Sequence, residues 1–183
     1  MSNVRDIRAE CRAGFTMVEL LVVIMIIGIL VTLVVSLAEG VRGEGYARRT
    51  QADMKILGAQ IVAYSEASPN RDFPKSRHDT AAWNAATPAQ RLNMAVENGV
   101  YLYEQLTRIE KTRNEVRERF AKDRFIEDPP NGYYLTDAFP LNRPFNYLRD
   151  GGPAGMPVFI SAGENGVWND TDDIRSDDHR NEN

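Results

Sequence analysis

From Leu20 to Val35 only Gly28 and Thr32 interrupt a run of apolar residues. A helix from Phe15 to Ala38 would be about 36 Å long at roughly 1.5 Å per residue, enough to cross a bilayer. Any fold must accommodate a segment that belongs in lipid. Ahead of it stand Arg5, Arg8 and Arg12, partly offset by Asp6 and Glu10. The positive-inside rule therefore keeps the short N-terminal arm in the cytoplasm and sends the residues after Leu37 outward. One residue breaks the pattern: Glu19, a carboxylate one turn into the run. A charge at membrane depth costs on the order of 2.5 to 3.5 kcal/mol on insertion scales, so Glu19 calls for a partner.

The stretch Gly14-Phe15-Thr16-Met17-Val18-Glu19-Leu20-Leu21-Val22 resembles the prepilin signal of type IV pilins and of the pseudopilins of type II secretion systems. The resemblance implies that a prepilin peptidase cuts between Gly14 and Phe15 and N-methylates Phe15, and that Glu19 acts in assembly. The residue types also have direct physical reasons. Glycine lets a protease approach the backbone closely. Cleavage exposes an ammonium on Phe15 at a helix N-terminus, where the macrodipole disfavours positive charge. In a filament of parallel helices the Glu19 carboxylate of one subunit is expected to meet the Phe15 ammonium of its neighbour, since either charge alone in an apolar core costs several kcal/mol. Two plainer readings compete: a secretory signal peptide ending at Ser36-Leu37-Ala38, and an uncleaved signal anchor. Neither explains Gly14-Phe15 together with Glu19.

Of the 183 residues, the leader and membrane helix leave enough for one small soluble domain. Net charge is −4, and removing residues 1–14 takes three arginines and two acids, leaving −5. A mildly acidic chain has no global electrostatic reason to bind nucleic acid. The single cysteine, Cys11, lies in the leader, so the cleaved chain would have no disulfide to staple its loops.

Past the membrane segment, Gly40, Gly43 and Gly45 mark a weak point in the helix. The helical pattern resumes over residues 46–67, where Met54, Leu57, Ile61 and Tyr64 form an apolar face against polar Asp53, Lys55, Gln60 and Glu66. Pro69 and Pro74 end it. Residues 75–88 read as a loop. A second helical region starts with Thr87 as N-cap and Pro88 in the first turn, interrupted at Asn98-Gly99. Farther on, Arg113, Arg117, Arg119, Lys122 and Arg124 interleave with acids and read as a solvated helix face. After the turn cluster Asp128-Pro129-Pro130-Asn131-Gly132, short strands are expected at residues 133–135, 145–149 and 157–162, as in an antiparallel meander. Asp137-Ala138-Phe139 followed by Pro144-Phe145-Asn146-Tyr147 partly resembles the pseudopilin step Asp-x-Trp-Gly-x-Pro-x-x-Tyr, with Phe139 for Trp.

The segment Ser161 to Ile174 concentrates glycine, oxygen donors and acids after a strand. A hard cation such as calcium takes six to eight oxygens from carboxylates, backbone carbonyls and water. The segment is similar to the C-terminal calcium loop of major pseudopilins, which implies the Ala162 carbonyl, Asn165, Asp172 and Asp173 as ligands. Asn165 stands where that family carries a carboxylate; it keeps an oxygen but loses a charge, which should weaken binding unless Asp170 or Glu164 compensates. Enzymatic readings do poorly. Ser161 lacks the Gly-x-Ser-x-Gly elbow, His78 and His179 are the only histidines, and Gly151-Gly152-Pro153 is a turn rather than a phosphate loop.

These readings predict an α+β pilin-like fold: a long N-terminal helix packed on a small antiparallel sheet, with a helical insert. The expected division is 1–14 leader, 15–38 membrane half of the helix, 39–67 its soluble half, 68–174 head with the insert at 87–124, and 175–183 acidic tail. The resemblance implies a structural subunit, not an enzyme, that is held in the bacterial inner membrane with its head in the periplasm. It would polymerise through its N-terminal helices with itself and other pseudopilins on an inner-membrane platform, forming a type II secretion pseudopilus, with calcium as cofactor. A type IV pilus subunit, or a membrane-anchored or secreted calcium-binding module that never polymerises, is the alternative.

Overall fold

The computed structural model describes residues 16–120, 124–128 and 132–178, without the side chains of residues 37–41. The chain divides into two units, residues 1–41 and 42–183. Helix α1, Met17–Ala67, contributes to both. In the first unit Met17–Ser36 is long and apolar enough to cross a membrane, and its side chains are exposed all round. Within it the Thr32 hydroxyl is satisfied by the helix itself: Thr32 Oγ1 donates to the Gly28 carbonyl at 2.8 Å.

In the second unit α1 continues through Gly43 and Gly45, the predicted weak point, and ends before Pro69. Met54, Leu57 and Ile61 are buried against Leu102, Leu106, Val116, Phe120, Leu135, Phe145, Tyr147 and Phe159. Each large side chain removed from water contributes roughly 1.5 to 3 kcal/mol. Two residues read as solvent-facing are not. Gln60 is buried and donates to Glu115 Oε2 at 2.6 Å, and Asp53 pairs with Arg124 Nη2 at 2.8 Å. Arg124 itself, expected on a solvated helix face, is buried in that pair. Asp53 and Gln60 flank the apolar stripe of α1 and meet Arg124 and α4, while the opposite face, with Lys55, Val62 and Glu66, is exposed.

The loop expected at residues 75–88 contains a short helix, α2, Thr80–Ala85, capped by the Asp79 carboxylate accepting from the Ala82 N–H. It exists to bury Trp83. Helix α3, Pro88–Arg108, begins at the predicted Thr87, which forms a capping box with Gln90. It runs straight through Asn98-Gly99, the predicted break. Gly99 is there because Tyr134 Cβ would come within 3.2 Å of any Cβ, and Asn98 donates to Asn146 Oδ1 at 2.9 Å. Ile109 turns the chain into α4, Glu110–Arg119. The predicted insert thus supplies much of the core. Lys122, expected on the solvated helix face, lies outside the described residues.

Strands β1, Phe125–Asp128, and β2, Gly132–Leu135, form one antiparallel pair. β3, Asn146–Leu148, β4, Val158–Ser161, and β5, Ile174–Arg175, form a second antiparallel sheet in that order. Two small sheets replace the single meander expected, joined by the Thr136–Pro144 bridge. Residues 175–178 continue β5 and its turn: Ser176 Oγ accepts the Phe159 N–H at 2.9 Å and Arg175 binds both oxygens of Asp177. The architecture is α+β and pilin-like: a long N-terminal apolar helix, further helices and small antiparallel sheets.

Candidate functional site

Two places carry the predicted chemistry. At the head of α1, Gly14 and Phe15 lie outside the described residues, and Glu19 lies within them. Its Oε2 accepts the Thr16 N–H and the Thr16 hydroxyl, each at 2.9 Å, while the Glu19 N–H donates to Thr16 Oγ1 at 3.2 Å. Thr16 and Glu19 therefore close a capping box, which satisfies N–H groups that no helical carbonyl reaches. The box turns the carboxylate back toward the start of the helix, where the negative charge also meets the positive end of the macrodipole. Thr16, which the sequence reading names only as part of the motif, is the partner that caps the helix with Glu19. Its signal was in plain view, a threonine three residues before a glutamate.

The second place is the loop between β4 and β5. Ser161 and Ala162 are fully buried at its start. Gly163 and Gly166 adopt φ of +64° and +69°, and Asn169 one of +71°, so the chain reverses three times in seven residues. A Cβ on Gly163 would stand 2.3 Å from the Asp172 carbonyl oxygen, so the two ends of the loop close on each other there. Asp172 Oδ2 accepts the Asn165 N–H at 3.1 Å, and Asp173 Oδ2 accepts the Asn169 N–H at 2.7 Å. The other oxygen of each, Oδ1, is buried with no hydrogen-bond partner. Burial pushes Asp173 up to about 6. It also raises Asp172, with neighbouring Asp170 adding to the lift, while Asp170 is held low by the hydrogen bond it shares with Asp172 and by the Asn165 amide.

Of the four predicted ligands, the loop brings Asn165 and Asp172 into contact, and Asp173 stands one residue on. The Asn165 side-chain oxygen is already engaged, accepting the Val167 N–H at 2.6 Å, and its amide donates to Asp170 Oδ2 at 2.7 Å. Glu164, a possible compensating carboxylate, turns instead toward α1, where its Oε2 would lie 3.2 Å from a Cβ on Gly43. Among the described residues no three histidine, cysteine or carboxylate groups converge on a metal-sized point. What the loop offers is two buried carboxylate oxygens without a hydrogen-bond partner, Asp172 Oδ1 and Asp173 Oδ1. That chemistry suits a hard cation.

The loop is docked by residues that sequence reasoning did not connect. Trp168 packs edge-on against Trp83 of α2, ring centroids 5.2 Å apart. Arg91 of α3, buried, donates to the carbonyls of Trp83, Trp168 and Asn84 and places its guanidinium 5.8 Å from the Trp83 ring centre. Beneath β4, Ser161 Oγ donates to Asp137 Oδ2 at 2.7 Å and accepts the Gly163 N–H at 3.3 Å. Asp137 is fully buried, and burial pushes it up to about 6 against the opposing Ser161 hydrogen bond.

Residues 11–35 match the family model of the prokaryotic N-terminal methylation motif. Neither a curated protein nor a solved structure matches the chain. The match spans the leader's end, both residues flanking the predicted cut, Glu19 and the apolar run to Val35. The chain therefore carries a type IV pilin-like signal for a prepilin peptidase, set directly on an apolar helix of membrane-spanning length.

Proposed function

We propose that this chain is a structural pilin-like subunit, cut between Gly14 and Phe15, N-methylated on Phe15, and assembled into a periplasmic pseudopilus for type II protein secretion. The observation that carries the reading is the coincidence of the methylation motif with a bare apolar helix that holds one carboxylate at its start. Glu19 is turned toward the end of the helix where cleavage creates an ammonium. In a bundle of parallel helices, that carboxylate neutralises the neighbour's Phe15 ammonium, setting the stagger between subunits. The subunit does no chemistry of its own; its partners are other copies, related pseudopilins, the inner-membrane platform and the peptidase.

The pseudopilin reading is preferred to a pilus subunit because of the loop between β4 and β5. Calcium there would be held by Asp172 and Asp173, with Asn165 and the Ala162 carbonyl completing the set, and would supply only charge neutralisation. In a chain whose cleaved form has no cysteine, an ion that ties this loop stabilises the folded head by mass action.

Intact mass and the N-terminal peptide of protein purified from its own cell membranes test the reading. N-methylated Phe15 at the terminus is the expected result. An intact Met1 or a start at Glu39 would overturn it, indicating a static anchor or a secreted domain.

A further inference from the structure

Three Asn-Gly dipeptides occur in the chain, at 98–99, 131–132 and 165–166. This pairing is chemically labile, because a glycine nitrogen without a neighbouring Cβ can reach the preceding asparagine side chain. The structure treats them differently. Asn98 is fully buried, its amide donating to Asn146 and its oxygen accepting the His78 N–H at 2.8 Å, and Gly99 sits inside α3, whose N–H groups bond along the helix. Asn131 lies outside the described residues. Asn165 is exposed, in a loop, and its side chain is folded over the next peptide by the bond from Val167 N–H to its Oδ1.

We infer that Asn165–Gly166 is a self-modification site at which the folded loop converts an amide into a carboxylate. The Gly166 nitrogen attacks Cγ of Asn165, forming the N–Cγ bond of a succinimide. The Cγ–Nδ2 bond breaks, the Gly166 amide proton leaves through solvent, and the nitrogen departs as ammonia. Charge develops on Oδ1 as Cγ becomes tetrahedral, and the Val167 N–H at 2.6 Å is already placed to stabilise it. Water then opens the ring. Breaking N–Cγ yields aspartate in normal linkage; breaking the bond to the α-carbonyl carbon yields isoaspartate. The normal linkage is favoured, since isoaspartate adds a methylene to a backbone that Asp172 holds at the Asn165 N–H and that Leu141 and Arg143 cover at Gly166. Glycine is required at 166, where a Cβ would lie 2.7 Å from Leu141 Cδ1 and φ is +69°. The labile pair is thus imposed by packing.

Conversion replaces a donor to Asp170 Oδ2 with a second carboxylate, so the two groups now 2.7 Å apart become like charges. The loop then depends on a cation to stay closed. This consequence rests on the calcium reading above; the chemical step does not.

The full chain in detergent, incubated in mildly alkaline heavy-oxygen water and then mapped by mass spectrometry, tests the step. Heavy oxygen at residue 165, cleavable by an aspartate-specific protease as normal linkage, with none at residue 98, is expected. An unlabelled residue 165 in folded protein, with label appearing there only after denaturation, overturns it, as does isoaspartate as the sole product. The consequence is tested with Asn165→Asp and Asn165→Gln, by melting with and without calcium. Asn165→Asp should melt below wild type in chelator and gain more from calcium. Equal gains for Asn165→Asp and wild type overturn the consequence. No response from either overturns the calcium reading itself, leaving the labelling result to decide the chemistry.

Discussion

Glu19 Oε2 holds the backbone N–H and the hydroxyl of Thr16, each at 2.9 Å, so one carboxylate oxygen serves as the helix cap within the chain. Capping and charge neutralisation between subunits are separable roles. Glu19→Gln keeps an oxygen that can accept from Thr16 and loses the charge; Glu19→Ala loses both. If the charge sets assembly, both variants should be cleaved and methylated yet fail to form filaments, as read by electron microscopy of overexpressed subunits. Filament formation by Glu19→Ala at the wild-type level would rule out the ion-pair mechanism, and rescue by Glu19→Gln alone would assign the role to the cap.

Gly163→Ala tests whether the loop closure matters. The new Cβ meets Asp172 oxygen atoms at 2.3 and 2.6 Å, and an alanine at φ +64° costs a further 1 to 2 kcal/mol or so. Trp83 and Trp168 are the only tryptophans, and they contact each other, so tryptophan emission under selective excitation is sensitive to the docking of this loop on α2. Wild type should melt higher with calcium than with chelator. Gly163→Ala should show red-shifted emission and no calcium-dependent gain in melting temperature.

The N-terminal segment was legible because its information is local: an apolar run long enough for lipid, a glycine-phenylalanine step and a lone acid need no tertiary partner. The same holds for Thr87 and Pro88, which mark the start of α3, and for Pro69 beyond the end of α1. Less legible was whatever depends on residues distant in sequence. Arg124 and Asp53 are 71 residues apart, so local charge alternation placed both in solvent when each is the other's reason for burial. Helix α2 has only six residues, too few for periodicity to show, and its purpose is a contact with Trp168. Asn98-Gly99 reads as a break from composition alone, whereas the close approach of Tyr134 makes it a packing requirement.

The Arg124–Asp53 pair makes a quantitative prediction. The two side chains are 5% and 14% exposed. Asp53→Ala leaves the guanidinium buried and uncompensated, which costs about 3 to 5 kcal/mol. A drop in melting temperature on the order of 10 °C is expected for a domain of this size. The double variant Asp53→Ala with Arg124→Met should recover much of the loss in calorimetry, since no charge is then stranded; a double variant as unstable as the single one would argue against the pair as the cause.

Asp137 predicts a pH dependence. Burial raises its folded value from 3.8 to about 6, so the folded chain binds its proton more tightly than the unfolded one. Its favourable contribution is fully present below pH 3.8, is lost as pH rises toward about 6, and is flat above that. The full change is about 3 kcal/mol, from a shift near two units. Asp173 moves in the same direction, so the useful quantity is the difference from Asp137→Asn, measured by urea unfolding in chelator across this range. The asparagine oxygen can still accept from Ser161, and the variant's stability should fall less steeply with pH than wild type. Parallel profiles would show that Asp137 does not titrate there.

Arg91 joins three elements through one planar group, with Nε on the Trp83 carbonyl, Nη1 on that of Trp168 and Nη2 on that of Asn84, at 3.3 to 3.5 Å. It is also the cation that Asp173 feels from outside the loop, opposing the rise caused by burial. These roles separate by substitution. Arg91→Lys keeps the positive charge but, with a single ammonium on a flexible stem, cannot reproduce the fork. Each buried carbonyl left unpaired costs on the order of 1 to 3 kcal/mol, so the tryptophan emission should red-shift as the loop loosens from α2. Arg91→Met removes the charge as well, and with it the attraction from α3 that Asp173 feels. Its loop should therefore close only with a divalent cation, and its calcium-dependent gain in melting temperature should exceed that of Arg91→Lys. Equal gains in the two variants would mean that Arg91 acts on the loop through its hydrogen bonds alone.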